Sequence, residues 1–195
     1  MPEILKALEA VTEPDERWAS FAFVNRETGA VRRFALQDFH ARADRLILHP
    51  GVPESIQDHF LTARHLALYS WFVYRFAPVA QMQALASLEF ALNERFPTAG
   101  NARPASLPSL FDRAMSEGLL DAKRFSEFSP AGDSPEERDR REKAFLQWLR
   151  NYCRFFRNNL AHGASTLMPD CFRTLQLVAD AINQLFDVPA TNRAA

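Results

Sequence analysis

The chain has 195 residues, 47% of them hydrophobic, and a formal net charge of −1 at pH 7. This composition excludes a disordered chain and argues against a protein whose whole surface grips duplex DNA, although it allows a local basic groove. With 17 Phe and only 6 Gly, helical packing is favoured over a turn-dense β-sandwich. We therefore expect one mainly α-helical domain with a small appendage.

Cysteine usage and apolar patterning bear on the cell compartment. Cys153 and Cys171 lack the spacing of a zinc finger or a disulfide framework, which fits a reducing cytosol. The first residues lack a basic stretch followed by an apolar core, and the longest apolar run, 66–74, is far too short to span a bilayer. These observations predict a cytoplasmic protein without a membrane span.

The first fifty-two residues are predicted to form an N-terminal extension, residues 1–52. A short amphipathic helix is expected over 2–12. Two apolar segments, 20–24 and 30–34, flank a four-residue turn that ends in Gly29, a pattern typical of a β-hairpin. An isolated hairpin is marginally stable, so this one must pack on something else. A further helix is expected over 36–48.

A helical domain is predicted over residues 53–187. Periodic apolar residues run from Pro53 to Phe96, and a straight helix of that length would extend roughly 60 Å. Since a domain of this size has a radius of gyration of about 16 Å, we expect a break at Ala77–Pro78. Shorter helices are expected over 107–120 and 171–186, with a frayed tail over 188–195.

The long helix predicted from Ser134 to about Ala161 carries the unusual residues of this chain. Ser134 caps it, Pro135 occupies its first position and Glu137 completes a capping box. On a wheel of about 100° per residue, nine apolar side chains fall within an arc of roughly 180°. We assign this arc to the core: Phe145, Leu146, Trp148, Leu149, Tyr152, Cys153, Phe155, Phe156 and Leu160.

The opposite half of this helix is basic and rich in amides. Three arginines cluster within about 60° on the wheel, and Asn151, Asn158 and His162 form an adjoining stripe. No Asp or Glu occurs between Lys143 and His162. We expect the arginines to be unneutralised and to bind an anionic partner; they are Arg150, Arg154 and Arg157.

The relative positions of Arg157 and His162 suggest a dimer. The two residues are five apart, which separates them by about 140° around an ideal helix. They can converge on a ligand in a groove because arginine is long. A two-fold axis beside the helix would instead pair each Arg157 with the His162 of a second copy, and we favour this arrangement.

The stretch from Arg157 to His162 resembles the HEPN superfamily, whose diagnostic feature is Arg, four to six residues, then His at the end of a core helix. Here the spacing is four, and Asn158 matches the polar residue common directly after the Arg. Residues 84–92 are similar to an earlier core helix of the family, and 110–120 look like the short helix that often precedes the motif. The resemblance covers roughly 54–187.

This resemblance implies an all-α bundle that dimerises through the motif helices. It also implies a metal-independent endoribonuclease of a toxin, defence or RNA-processing system, with an antitoxin or another protein as a further partner. The chemistry fits, because RNA supplies its own 2′-hydroxyl nucleophile and imidazole transfers protons near neutral pH. The expected catalytic residues are Arg157, Asn158 and His162, and the expected RNA-binding residues are Arg150, Arg154 and Asn151.

Other interpretations stay open at the level of sequence. Arg157 and His162 are compatible with simple capping of helix-end carbonyls. The motif is also compatible with a non-catalytic module that binds RNA, a nucleotide or a protein partner. Glu89 either pairs with Arg157 or Arg154 or reaches solvent. The sequence has no phosphate-binding Gly loop, no metal-ligand spacing and no nucleophile elbow, so we expect neither a metal nor a cofactor.

Overall fold

The computed structural model describes residues 5–25, 27–98, 105–129, 134–161 and 170–187. These residues contain six α-helices and one antiparallel strand pair. The elements are β1 (Ala22–Val24), β2 (Val31–Arg33), α1 (Leu36–Asp44), α2 (Glu54–Tyr69), α3 (Phe76–Arg95), α4 (Leu107–Ser116), α5 (Pro135–Ala161) and α6 (Cys171–Phe186). The prediction of a mainly helical fold with a small N-terminal hairpin is confirmed. The predicted tail over 188–195 lies outside the described residues.

The hairpin is short and is anchored to α1 by one charged pair. In the turn between its strands, Gly29 adopts a φ of 69°, which favours glycine. Arg32 on β2 donates two hydrogen bonds to the Asp38 carboxylate, at 2.7 and 2.6 Å. Asp38 also accepts the backbone N–H of Ala35, 2.8 Å away, and so caps α1. The described part of the helix expected over 2–12 is a single 3₁₀ turn, Leu8–Ala10.

The break in the long apolar stretch lies upstream of the proline that predicted it. Helix α2 ends at Tyr69 and α3 begins at Phe76, so Pro78 falls in the first turn of α3. The first turn of a helix has no internal partners for its N–H groups, and a proline there costs no hydrogen bond. The indole N–H of Trp18 donates to the carbonyl of Ser70, 2.8 Å away in the intervening turn.

The core has α3 at its centre, with α2 and α6 packed against it. Ala80, Ala84, Leu88 and Ile182 are among the fully buried side chains of this core. The N-terminal region contributes to the same core through a cluster of aromatic rings. The Trp18 and Phe39 ring centroids are 4.8 Å apart, and those of Phe39 and Phe172 are 5.7 Å apart. The boundary at residue 52 remains a prediction.

Helix α5 begins with the predicted capping box. The Ser134 hydroxyl accepts the backbone N–H of Glu137 at 3.3 Å, while the Glu137 carboxylate accepts the backbone N–H of Ser134 at 3.0 Å. Further along, α5 buries Leu149 and Cys153 against the bundle. The side of α5 opposite Leu149 and Cys153 is exposed and forms a long, mostly polar surface. Within the described ranges, no helix is long and apolar enough to cross a membrane.

A buried polar chain fixes α5 against α3 and α6. The amide of Gln81 donates to the Thr174 hydroxyl at 3.0 Å, and the Tyr152 hydroxyl lies 2.7 Å from the same oxygen. Gln81 and Thr174 are fully buried. Burial is the main cause of the raised pKa of Tyr152, so the phenol stays neutral and available as a hydrogen-bonding group. These hydrogen bonds therefore fix the position of α5 on the core.

Candidate anion-binding cleft on helix α5

A cleft of about 420 Å³ opens where α5 passes α3 and the start of α4. Three of its lining residues are predicted site residues from α5, namely Arg154, Arg157 and Asn158. The other walls come from elsewhere in the chain: Glu89 on α3, and Ser106, Leu107 and Pro108 at the start of α4. The fold thus gathers two arginines, an amide, a carboxylate and a hydroxyl around one hollow.

Arg157 faces an acidic partner across the cleft. Its Nε lies 3.5 Å from Oε2 of Glu89, beyond the usual range of a charge-assisted hydrogen bond. The Arg157 side chain is 49% exposed and that of Glu89 is 28% exposed. An ion pair so open to water contributes little to stability. The Arg157 guanidinium is therefore weakly held and accessible to a stronger anion.

Arg154 lies one turn before Asn158 on the exposed side of α5. It forms no ion pair with any residue in the described ranges, whereas Arg157 and Arg150 both do. Arg154 and Asn158 both line the cleft and are both exposed. Of the three arginines predicted to bind an anion, Arg154 best fits the expectation of an unneutralised cation.

The expectation that Arg150 is unneutralised is wrong. Its Nε and Nη2 donate to the two carboxylate oxygens of Asp112 on α4, at 2.5 and 2.7 Å. This bidentate contact raises the pKa of Arg150 further above its ordinary value. Arg150 Nη1 also donates to the side-chain oxygen of Asn151 at 3.3 Å. The acid comes from another helix, so a count of acidic residues along α5 does not detect it. Neither Arg150 nor Asn151 lines the cleft.

The predicted proton-transfer residue, His162, lies outside the described residues, as does Gly163. The structure therefore gives no distance between the imidazole and the arginines of the cleft. The two-fold arrangement expected for Arg157 and His162 likewise stays a prediction. Asn158 is the last predicted site residue along α5 whose side chain is described.

The aromatic arc of α5 is wider than the surface that the core covers. Leu149 and Cys153 are buried, as expected from the wheel, but Trp148 is 37% exposed and Phe155 is 62% exposed. Both lie at the edge of an arc of roughly 180°, whereas one helix face in a bundle buries a stripe little more than about 100° wide. The assignment of Phe155 and Trp148 to the core is wrong, because both side chains are exposed.

Three cleft residues were missed by reasoning on the motif helix alone, namely Ser106, Leu107 and Pro108. Ser106 caps α4, where its hydroxyl accepts the backbone N–H of Ser109 at 3.4 Å. Leu107 is buried and fixes the same helix end to the core. Their sequence signal is the capping pattern before α4, which predicts a helix start but not its position beside α5. Among the open interpretations of Glu89, which were pairing with Arg157, pairing with Arg154 and reaching solvent, the structure selects the pairing with Arg157.

Metal ligation finds no support in the described ranges, where no group of three or more His, Cys, Asp or Glu side chains is arranged to hold an ion. Comparison of the chain with protein-family models, curated proteins and solved structures gives no significant match. The chemistry of the cleft is consequently the main guide to its function. Two guanidinium groups and amide and hydroxyl groups suit an anion with several oxygens, such as a phosphodiester.

Proposed function

We propose that the chain is a metal-independent endoribonuclease whose cleft on α5 holds the RNA backbone beside the scissile phosphate. The observation that carries the proposal is that Arg154, Arg157 and Asn158 line one open cleft of about 420 Å³. A phosphodiester offers two non-bridging oxygens that share one negative charge, and they match the paired N–H donors of a guanidinium. The HEPN-like spacing from Arg157 to His162 supplies the catalytic part of the proposal.

In the proposed reaction, the 2′-oxygen of a ribose attacks the neighbouring phosphorus, and the bond from phosphorus to the 5′-oxygen breaks. A base removes the proton of the 2′-hydroxyl, and an acid protonates the leaving 5′-oxygen. His162 performs one of these transfers, since imidazole exchanges protons near neutral pH. Arg157 neutralises the charge that develops on the phosphate. The products are a 2′,3′-cyclic phosphate and a 5′-hydroxyl.

A homodimer would complete the two proton transfers. Two-fold symmetry next to the end of α5 brings two copies of the motif to one cleft, and each copy supplies one histidine. The substrate would then lie across both subunits. An antitoxin or other protein that covers the cleft remains a predicted partner.

A non-catalytic RNA-binding module is the second candidate function. The contact between Glu89 and Arg157 favours it, because a carboxylate beside the guanidinium repels a phosphate and competes with it. In this alternative the cleft binds RNA loosely, Glu89 limits the affinity, and His162 only ends the helix. The two candidates share the same surface and differ in whether a bond is cleaved.

One cleavage assay separates the candidates. Purified protein is incubated with end-labelled RNA in EDTA, and the product ends are identified by their sensitivity to phosphatase and to acid. Wild type is compared with Arg157→Ala, His162→Ala and Arg154→Ala. Arg140→Ala is the matched control, because Arg140 is an exposed arginine of the same helix about 21 Å before Arg154 along the axis.

The expected result is cleavage by wild type and by Arg140→Ala, with cyclic-phosphate ends. Arg157→Ala and His162→Ala should cleave at least about a hundredfold more slowly, the scale of losing a general acid or base, while circular dichroism shows unchanged helicity. RNA binding without cleavage by the wild-type dimer would support the non-catalytic module. Full cleavage by either motif variant would reject the catalytic assignment.

A further inference from the structure

The outward face of α5 combines a cation, amides and aromatic rings, and it carries no acid. Apart from Arg157, the exposed side chains over 147–158 form this face: Gln147, Trp148, Asn151, Arg154, Phe155 and Asn158. Surfaces meant only for solubility usually intersperse carboxylates. This composition matches what single-stranded nucleic acids require, namely positive charge for the backbone and aromatic faces for the bases.

Phe155 and Trp148 form the aromatic edge of this face. Phe155 is 62% exposed and Trp148 is 37% exposed, which costs free energy unless something covers the rings. The two residues are seven apart, so they point within about 20° of one another and lie about 10 Å apart along the axis. Arg154 directly precedes Phe155 and points about 100° away from it around the helix, so the cleft and the aromatic edge lie on neighbouring sides of α5.

Ring packing holds both exposed side chains in place. The Trp148 and Tyr152 centroids are 5.2 Å apart, those of Tyr152 and Phe156 are 4.4 Å apart, and those of Phe156 and Phe155 are 5.5 Å apart. Tyr152 is in turn fixed by its contact with Thr174. A ring that is already positioned loses little conformational entropy when a base stacks on it.

A second cation lies beside the same aromatic edge. The guanidinium carbon of Arg173 on α6 is 5.4 Å from the Trp148 ring centroid. Its Nε is held by both carboxylate oxygens of Glu127, at 3.0 and 2.8 Å. Arg173 therefore lies beside Trp148 as one half of an ion pair with Glu127, whereas Arg154 forms no ion pair within the described residues. An anionic strand that crosses this face meets its unpaired positive charge at Arg154.

We propose that a single-stranded segment of RNA docks on this face, with phosphates at Arg154 and bases stacked on Phe155 and Trp148. The inference rests on the proposed function and specifies its substrate as unpaired RNA. In a duplex the bases stack on each other inside the helix and are not free for protein rings. A second copy of the chain fits the face less well, because the same face brings no carboxylate to Arg154.

The test is a fluorescence titration of the full chain, at low and at physiological salt, with a single-stranded 2′-O-methyl oligouridylate, which lacks the 2′-hydroxyl nucleophile and is not cleaved. Base stacking on Trp148 should quench tryptophan emission, and this quenching should be absent from Trp148→Phe. Phe155→Leu keeps an apolar side chain and removes the aromatic face. Its affinity for the oligouridylate should fall by at least about fivefold, whereas binding of an RNA duplex should change little. Phe23→Leu, on the exposed hairpin, is the matched control.

The outcomes distinguish failure of the stacking proposal from failure of the proposed function on which it rests. Oligouridylate binding that depends on Arg154 but is unchanged in Phe155→Leu, with no quenching of Trp148, would overturn the stacking and leave the proposed function intact. Absence of any RNA binding by wild type would overturn both. If Phe155→Leu instead lowers the sedimentation coefficient at unchanged RNA affinity per chain, the face is an interface between copies, and the stacking proposal is wrong.

Discussion

Nε of Arg157 lies 3.5 Å from Oε2 of Glu89, across the cleft between α5 and α3. An arginine proposed to bind phosphate thus already has an internal anion within reach. The pair is open to water and too long for a good hydrogen bond, so its contribution to folding is small, about 0.2–1 kcal/mol. Its main consequence is electrostatic, because a phosphate that enters the cleft must compete with Glu89.

Glu89→Gln should therefore strengthen RNA binding. Removing the carboxylate frees the Arg157 guanidinium and removes a repulsive charge, and a gain on the scale of one exposed ion pair corresponds to about two- to fivefold in affinity. The measurement is a titration of each protein with labelled RNA under identical salt. Glu94→Gln, an exposed change on the same helix, should leave the affinity unchanged. Weaker binding by Glu89→Gln would mean that the carboxylate positions the arginine productively.

The three arginines of α5 should differ in their salt dependence. Arg154 makes no ion pair within the described residues, Arg157 makes a weak one and Arg150 is held bidentately by Asp112. Each phosphate contact by a free cation adds about 0.7 to the slope of log affinity against log salt for single strands. Arg154→Ala should thus lose about 0.7 of slope, and Arg150→Ala should lose almost none. An equal loss for both would show that Asp112 does not occupy Arg150 when RNA is bound.

Local patterns predicted the elements of this fold well. The capping box from Ser134 to Glu137 and the apolar period fixed the start of α5, and the hairpin followed from the turn before Ala30. The break before α3 was placed a few residues too late, because a proline is read as a helix breaker, whereas Pro78 is tolerated in a first turn. These features depend on neighbours in sequence, which is why they are predictable from it.

The site was harder to predict, because its partners come from other helices. Asp112 neutralises Arg150 from α4, and Glu89 approaches Arg157 from α3. No spacing within α5 carries that information. The exposure of Phe155 has the same origin, since the width of the buried stripe depends on which helices pack against it. Sequence identified the arginines and the amide of the cleft but not their electrostatic state.

Stability in acid should depend on Asp15. Burial alone raises its pKa, but hydrogen bonds from the Arg17 side chain and from the backbone N–H groups of Tyr74 and Arg17 outweigh burial and lower the pKa to about 2. A carboxyl group whose pKa is lower in the folded chain stabilises the fold above its ordinary pKa of 3.8. That contribution is lost as the pH falls toward 2, and it amounts to about 2 kcal/mol.

Asp15→Asn should remove this dependence. The unfolding free energies of wild type and Asp15→Asn are compared by denaturant titration between pH 2 and pH 6. The advantage of wild type should be largest above pH 4 and should shrink as Asp15 is protonated. Asp58→Asn, an exposed change on α2, should not alter the acid profile in this way. A constant difference between the two proteins across the range would contradict the lowered pKa.

The buried chain of Gln81, Thr174 and Tyr152 should be essential for the position of α5. Thr174→Val keeps the shape of the side chain but removes the oxygen that both neighbours contact. The Gln81 amide and the Tyr152 hydroxyl then lose that partner, which should lower the unfolding free energy by about 1–3 kcal/mol. Thr62→Val, at an exposed position of α2, is the matched control. Because Tyr152 anchors the ring series that ends at Phe155, Thr174→Val should also increase amide exchange along α5. Wild-type exchange and stability in this variant would show that ring packing alone positions the helix.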